Sequence, residues 1–178
     1  MSLDIGQIVE IPENSALYST EKKDFLSKKE ELLWLSQKPK YTLYDGILLA
    51  GHNGVEQFRI GQRKKLGISG KKKPLYVLAI DKKAQRIFVG QGNNHPGLAT
   101  KVIKINRNEN DIFPLENNEE HISVKFILKN ETANATLHTY PDIFFIEFEK
   151  PIYNIPENET LKLYLNEKLI KSFNFAEE

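Results

Sequence analysis

The chain reads as mainly β: a small β domain carrying one short helix, followed by a six-stranded β-barrel. Three observations predict this. Beyond Pro39 the apolar residues come in short runs bounded by Gly, Asn, Asp or Pro, the punctuation of strands joined by turns. In the second half the alternation has period two, with Val124, Phe126 and Leu128 interleaving with Ser123, Lys125 and Ile127; a half-buried strand sends successive side chains to opposite faces. Only one segment carries helix start and stop signals.

In chain order, Gln7 to Ile11 alternates polar and apolar residues before Pro12-Glu13-Asn14 and predicts a short strand ending in a turn. Ser27 with Glu30 three residues on is a capping-box pattern, and Leu32, Leu33, Trp34 and Leu35 follow before Pro39. That spacing predicts a helix near 28–37, its large apolar side chains packed on the domain. Ile47 to Ala50 and Val55 to Ile60 follow Asp45-Gly46 and His52-Asn53-Gly54 and predict two strands. Leu75 to Ile80 and Arg86 to Gly90 predict a hairpin whose turn carries Lys82 and Lys83 into solvent. The breaker cluster Asn93 to Gly97 marks a boundary, with one domain over 1–98 and a second over 99–178. Six further strands are expected near 99–105, 121–128, 135–139, 143–148, 160–165 and 169–173, a spacing that suits a small barrel with its edges hidden. The asparagine-rich segment 106–118 reads as a loop.

Charge is unevenly spread. The formal net charge is +1, yet residues 59–86 hold ten basic side chains against the single acid Asp81, while residues 107–178 hold fourteen acids against seven bases. The densest part is Phe58 to Lys73, sixteen residues with two arginines, five lysines and three glycines. Glycine lets backbone approach a ligand closely, so this stretch suits a polyanion, and nucleic-acid phosphates are the natural partner. The candidate contacts are Arg59, Gln62, Arg63, Lys64, Lys65, Lys71, Lys72 and Lys73. Arg59 and Arg63 could add planar, bidentate recognition that lysine lacks.

Other chemistry finds no support. The sequence has no cysteine, which excludes a disulfide, a thiolate metal site and a cysteine nucleophile within these 178 residues. The four histidines His52, His95, His121 and His138 fall in no metal-ligand spacing. No GxSxG elbow or GxxxxGK[ST] phosphate loop is present, so no catalytic residue and no metal site is expected. No apolar run approaches the roughly 20 residues of a membrane span, and no signal-peptide pattern opens the chain, so a cytoplasmic protein is expected.

Gly51-His52-Asn53-Gly54, the run from Phe58 to Ile68 with its GQR-x-x-LGI core, Pro74 to Val77, Asp81, and Val89 to Leu98 together resemble the region C-terminal to the catalytic domain of tRNA-specific 2-thiouridylases, the MnmA/TrmU family. In that family an ATP-dependent PP-loop domain comes first, then a small central domain, then a C-terminal β-barrel. The resemblance implies that residues 1–98 are the central domain, with an insertion over about 12–44 that includes the helix, and that 99–178 are the barrel. It implies tRNA as partner and wobble-uridine 2-thiolation as the process served. ATP, the catalytic domain and a sulfur-carrier protein are implied for the parent enzyme. The PP-loop signature and both family cysteines belong upstream of the matching region, so this chain is expected to position tRNA and not to thiolate it alone. The alternative is a protein-interaction or structural module with tRNA binding lost. It draws on three departures. Ile127-Leu128-Lys129-Asn130 stands where the family has an Arg-Tyr pair that contacts tRNA. Pro156-Glu157-Asn158-Glu159 stands where it has a T-P-G-Q turn, placing carboxylates where an amide meets RNA. The glycine triplet near the family's end is replaced around Lys171-Ser172-Phe173.

Overall fold

The computed structural model describes residues 6–19, 24–107 and 119–175. They fall into two compact units: Met1–Lys23 with Lys38–Ala99, and Asp24–Gln37 with Thr100–Glu178. The first unit holds a four-stranded sheet built from β1 (Gly6–Glu10), β2 (Ile47–His52), β3 (Leu75–Asp81) and β4 (Arg86–Gln91), in the order β2-β1-β4-β3. β1 lies antiparallel to β2 and parallel to β4, while β3 and β4 form the expected hairpin. Neighbouring residues of the central strands face opposite cores. Ile8, Ile87 and Val89 pack with Val55, Phe58, Leu66 and Leu75; Val9 and Phe88 pack with Ile11, Leu78 and Leu98, covered by Tyr18 and Tyr41. Burial on both faces explains why β4 reads as an unbroken apolar run.

One predicted strand is absent. Val55 to Ile60 forms turns, closed by hydrogen bonds from the Phe58 N–H to Val55 O at 3.0 Å and from the Gln62 N–H to Arg59 O at 3.1 Å. Val55 and Phe58 are 1% and 5% exposed and enter the same core. Residues three apart share a face in a turn and take opposite faces in a strand, so burying both selects the turn.

The predicted helix forms as α1 (Lys28–Leu35), with the Ser27 hydroxyl accepting from the Glu30 N–H at 3.2 Å. The return bond differs from a reciprocal capping box: the Glu30 carboxylate accepts from the Leu26 N–H at 2.9 Å. α1 also belongs elsewhere than the sequence placed it. Residues 24–37 group with the second unit, because Leu32, fully buried, packs on Val102, Ile143 and Phe145. Lys28 pairs with Glu147 and Lys29 with Asp142, each at 3.0 Å.

The second unit is a six-stranded sheet curled as a half-barrel. Its strands are β5 (Ala99–Asn106), β6 (Glu119–Phe126), β7 (Glu131–Thr139), β8 (Ile143–Tyr153), β9 (Thr160–Leu165) and β10 (Lys168–Asn174), in the order β10-β9-β6-β7-β8-β5. Ile103 and Ile105 from one edge strand and Phe173 from the other enter one core with Phe126, Phe148 and Leu161; edges that share a core require the sheet to curl. β8 is apolar on both faces because Phe144, Ile146 and Phe148 fill the barrel while Ile143 and Phe145 lie under α1. From residue 108 onward the expected 106–118 loop lies outside the described residues. Among the described residues no helix is long and apolar enough to cross a membrane.

Candidate nucleic-acid interface

The stretch from Val55 to Lys73 is a structured loop on the first sheet. Its apolar side chains Val55, Phe58 and Leu66 enter the core, and its backbone is joined to β3 by bonds from the Gly61 N–H to Val77 O at 2.8 Å and from the Val77 N–H to Gln62 O at 3.0 Å. Gly61, Gly67 and Gly70 have φ of 77°, 69° and 78°, and Lys65 joins them at 64°. A Cβ at Gly67 or Gly70 would meet nothing within 4 Å. These two glycines therefore serve the left-handed backbone that turns the loop, where the sequence suggested close approach of a ligand.

The eight candidate residues separate into three groups. Arg59 and Gln62 build the loop. Arg59 Nη1 donates to Glu56 O at 2.7 Å and Phe58 O at 2.8 Å; Gln62 Oε1 accepts from the Arg59 N–H at 3.0 Å and Gln62 Nε2 donates to Lys64 O at 2.7 Å. Lys71 and Lys73 are partnered within the unit. Lys71 Nζ pairs with Glu10, a 7% exposed residue whose carboxylate also accepts from Gln91 Nε2, and Lys73 Nζ meets Glu13 at 3.4 Å. Arg63, Lys64, Lys65 and Lys72 are exposed, and among the described residues their side chains have no hydrogen-bond or ion-pair partner. They form the available cationic surface of the loop, with Gln62 fixing the carbonyl of Lys64 from behind.

Glu10 and Glu13 were not anticipated, since about sixty positions separate each from its lysine and no local spacing signals such a pair. Two of the four histidines, His95 and His52, hold turns in place. His95 is fully buried; its Nδ1 accepts from the Gly97 N–H at 3.1 Å and its Nε2 lies 3.1 Å from Ile11 O. Burial pushes the pKa of His95 down, against the smaller upward pull of the Ile11 carbonyl. His52 repeats the arrangement with the Gly54 N–H and Gln85 O, so in both His-x-Gly segments the imidazole Nδ1 accepts a turn N–H while Nε2 meets a backbone carbonyl beside a neighbouring strand.

In the second unit a cleft of about 360 Å³ is lined by Lys28, Glu119, His121, His138 and Glu147, among others. His138, 3% exposed, sets Nε2 2.9 Å from Glu147 and Nδ1 3.3 Å from Glu119. Burial alone would raise the Glu147 carboxyl, but hydrogen bonds from Lys28 and His138 outweigh it and hold that group below its ordinary range. Among the described residues no group of His, Cys, Asp or Glu has the geometry to hold a metal ion.

Glu159 corrects an expectation. Its side chain is fully buried and accepts the N–H groups of Leu128 at 2.6 Å, Lys129 at 3.0 Å and Thr160 at 3.0 Å. The carboxylate pins the turn after β6 to the start of β9 and is not presented to a ligand. At that turn Ile127 and Leu128 are exposed, and Lys129 is engaged with Tyr153 O at 3.2 Å and Glu131 at 3.6 Å.

Residues 33–91 match the family described as tRNA methyl transferase PRC-barrel domain. The chain is 32% identical over 172 residues to a tRNA-specific 2-thiouridylase MnmA of Flavobacterium johnsoniae, covering 94% of this chain and 44% of that protein. Identity and coverage are the same for the protein of that name from Christiangramia forsetii. Against tRNA-specific 2-thiouridylase MnmA 1 of Geobacillus kaustophilus it is 34% identical over 134 residues, 72% of this chain and 35% of the relative. The chain thus spans less than half the length of these curated relatives.

Proposed function

The chain belongs to the tRNA-specific 2-thiouridylase (MnmA) family, and from that premise we propose that it is a tRNA-positioning module of such an enzyme. The observation that carries the proposal is the division of charge in the basic loop. Arg63, Lys64, Lys65 and Lys72 are exposed on a backbone held by core side chains and by Gln62, with no internal partner among the described residues. Cations held in this way neutralise backbone phosphates and release their counterions, which gives sequence-independent affinity and orientation on the RNA. A preformed loop avoids the cost of ordering long side chains and backbone on binding.

The chain has no cysteine, so sulfur delivery through cysteine thiols falls to residues outside it. ATP-dependent activation of the uridine is assigned to the same remaining part of the family's proteins. This chain's own contribution is to bind the phosphate backbone and fix the register of the tRNA.

Binding of an unmodified tRNA transcript, followed by fluorescence anisotropy across a potassium chloride series, tests the proposal. Lys64→Glu with Lys65→Glu should weaken binding at every salt concentration and reduce the slope of log K against log salt by about 2, roughly one per lysine–phosphate contact. An affinity and slope equal to the parent's would overturn it.

A further inference from the structure

The lysine run that closes the basic loop is held by two residues outside the loop. Gln91, the last residue of β4, has both ends of its side-chain amide engaged: Nε2 donates to the Glu10 carboxylate, and Oε1 accepts from the Lys73 N–H at 3.2 Å. Glu10, the last residue of β1, divides its two oxygens between Gln91 and the Lys71 ammonium. Parallel pairing of β1 with β4 brings them together, since Glu10 lies opposite Val89, two residues before Gln91 and on the same face of the strand. A backbone bond completes the frame, from the Gly92 N–H to Pro74 O at 2.9 Å.

Burial gives this contact its weight. Glu10 is 7% exposed, and a carboxylate withdrawn from water must find its donors in the protein, which Lys71 and Gln91 supply. The consequence falls on Lys72. Lys71 turns to Glu10, and Lys73 is held twice, by its N–H on Gln91 and by its ammonium 3.4 Å from Glu13. Lys72 stands between these tethered neighbours, exposed and with no hydrogen-bond or ion-pair partner among the described residues. Backbone and side chains that order only on binding subtract from affinity, and backbone pinned on both sides of a cation has already given up that freedom.

We propose that Gln91 is a positioning residue of the basic loop: by joining Glu10 to the backbone of Lys73 it holds Lys71 and Lys73 against the unit and presents Lys72 to a phosphate of the tRNA backbone. Gln91 carries no charge, so its contribution is order and not attraction. The inference rests on the reading of the loop as a tRNA contact.

The test uses the full chain, an unmodified tRNA transcript and the same salt series. Gln91→Met keeps length and charge but loses both hydrogen bonds. Binding should weaken about threefold to tenfold, the cost of ordering one long side chain, with the salt slope unchanged because no phosphate contact is lost. Lys72→Gln should weaken binding and lower the slope by about 1. The two substitutions together should weaken binding no more than Lys72→Gln alone, because Gln91 acts through that lysine. Additive losses overturn the proposal, and a lower unfolding midpoint with unchanged affinity assigns the bridge to stability alone. A measurement on the parent chain holds whether or not the variant folds: the amides of residues 71–73 should be as ordered as those of β4, with order parameters of about 0.85, and a run distinctly more mobile than β4 overturns the proposal. If Lys64→Glu with Lys65→Glu weakens binding and Gln91→Met does not, the loop stands and the positioning role falls. If neither that pair nor Lys72→Gln changes binding, the loop reading falls and the positioning role with it.

Discussion

The basic loop of the first unit and the Glu159 turn of the second treat their charges in opposite ways. The loop consumes part of its charge internally, through Arg59 on its own carbonyls, Lys71 on Glu10 and Lys73 on Glu13, and leaves Arg63, Lys64, Lys65 and Lys72 exposed. The turn buries its carboxylate completely against backbone N–H groups. Net charge over a stretch therefore ranks regions poorly as binding surfaces. What counts is which ionised groups remain after the fold has satisfied its own polar atoms.

The largest effect expected from this contrast is at Glu159. Glu159→Ala leaves the N–H groups of Leu128, Lys129 and Thr160 without their acceptor, and hydrogen bonds to a charged group contribute about 1.5 to 3 kcal/mol each. The second unit should lose at least about 3 kcal/mol in denaturant unfolding followed by a probe in that unit; a loss under about 1 kcal/mol would show that the carboxylate is replaceable.

A smaller effect separates the two kinds of lysine. Lys71→Gln removes the cation from Glu10, a buried carboxylate that retains its contact with Gln91, and should cost about 1 to 3 kcal/mol with little change in the salt slope of tRNA binding. Lys64→Gln should do the reverse, lowering the slope by about 1 at unchanged stability. Equal slopes for the two variants would erase the distinction between committed and available cations.

The smallest effect is one of pH. His95 has its pKa lowered in the folded state, so near and below the ordinary histidine value of about 6.5 the unfolded chain binds the additional proton. The stability it contributes is complete above that value and is lost as pH falls through the folded pKa. The unfolding midpoint of the first unit should drop between pH 7 and pH 5. His95→Asn should flatten that dependence while lowering stability throughout, and a slope as steep as the parent's would assign the titration to another group.

How far the fold could be read in advance depended on whether the signal was local. Strands β6 and β9 of the second sheet announced themselves because one face is core and the other is not, which writes period two directly into Val124, Phe126, Leu161 and Leu163. The helix start was equally plain, since the Ser27 cap needs only its own first turn. Val55 to Ile60 misled for the opposite reason: a short apolar stretch fits strand or turn equally until the core shows that Val55 and Phe58 enter it together. The allegiance of α1 was similarly closed to inspection, because Leu32 finds Val102, Ile143 and Phe145 about seventy to one hundred and thirteen positions away.

By itself the sequence determined the mainly β class, the capped helix, the concentration of positive charge in one glycine-punctuated loop, and, through the residue order around GQR-x-x-LGI, the family. Those features are written in neighbouring residues, where propensity, periodicity and turn chemistry act. The tertiary structure decided which cations of the loop remain available, that Glu159 is an internal clamp, and that Gln91 joins Glu10 to the backbone of Lys73. Each of these depends on partners brought together by sheet pairing and core burial across long stretches of chain, and pairing of that kind is settled only when the whole domain buries its apolar surface.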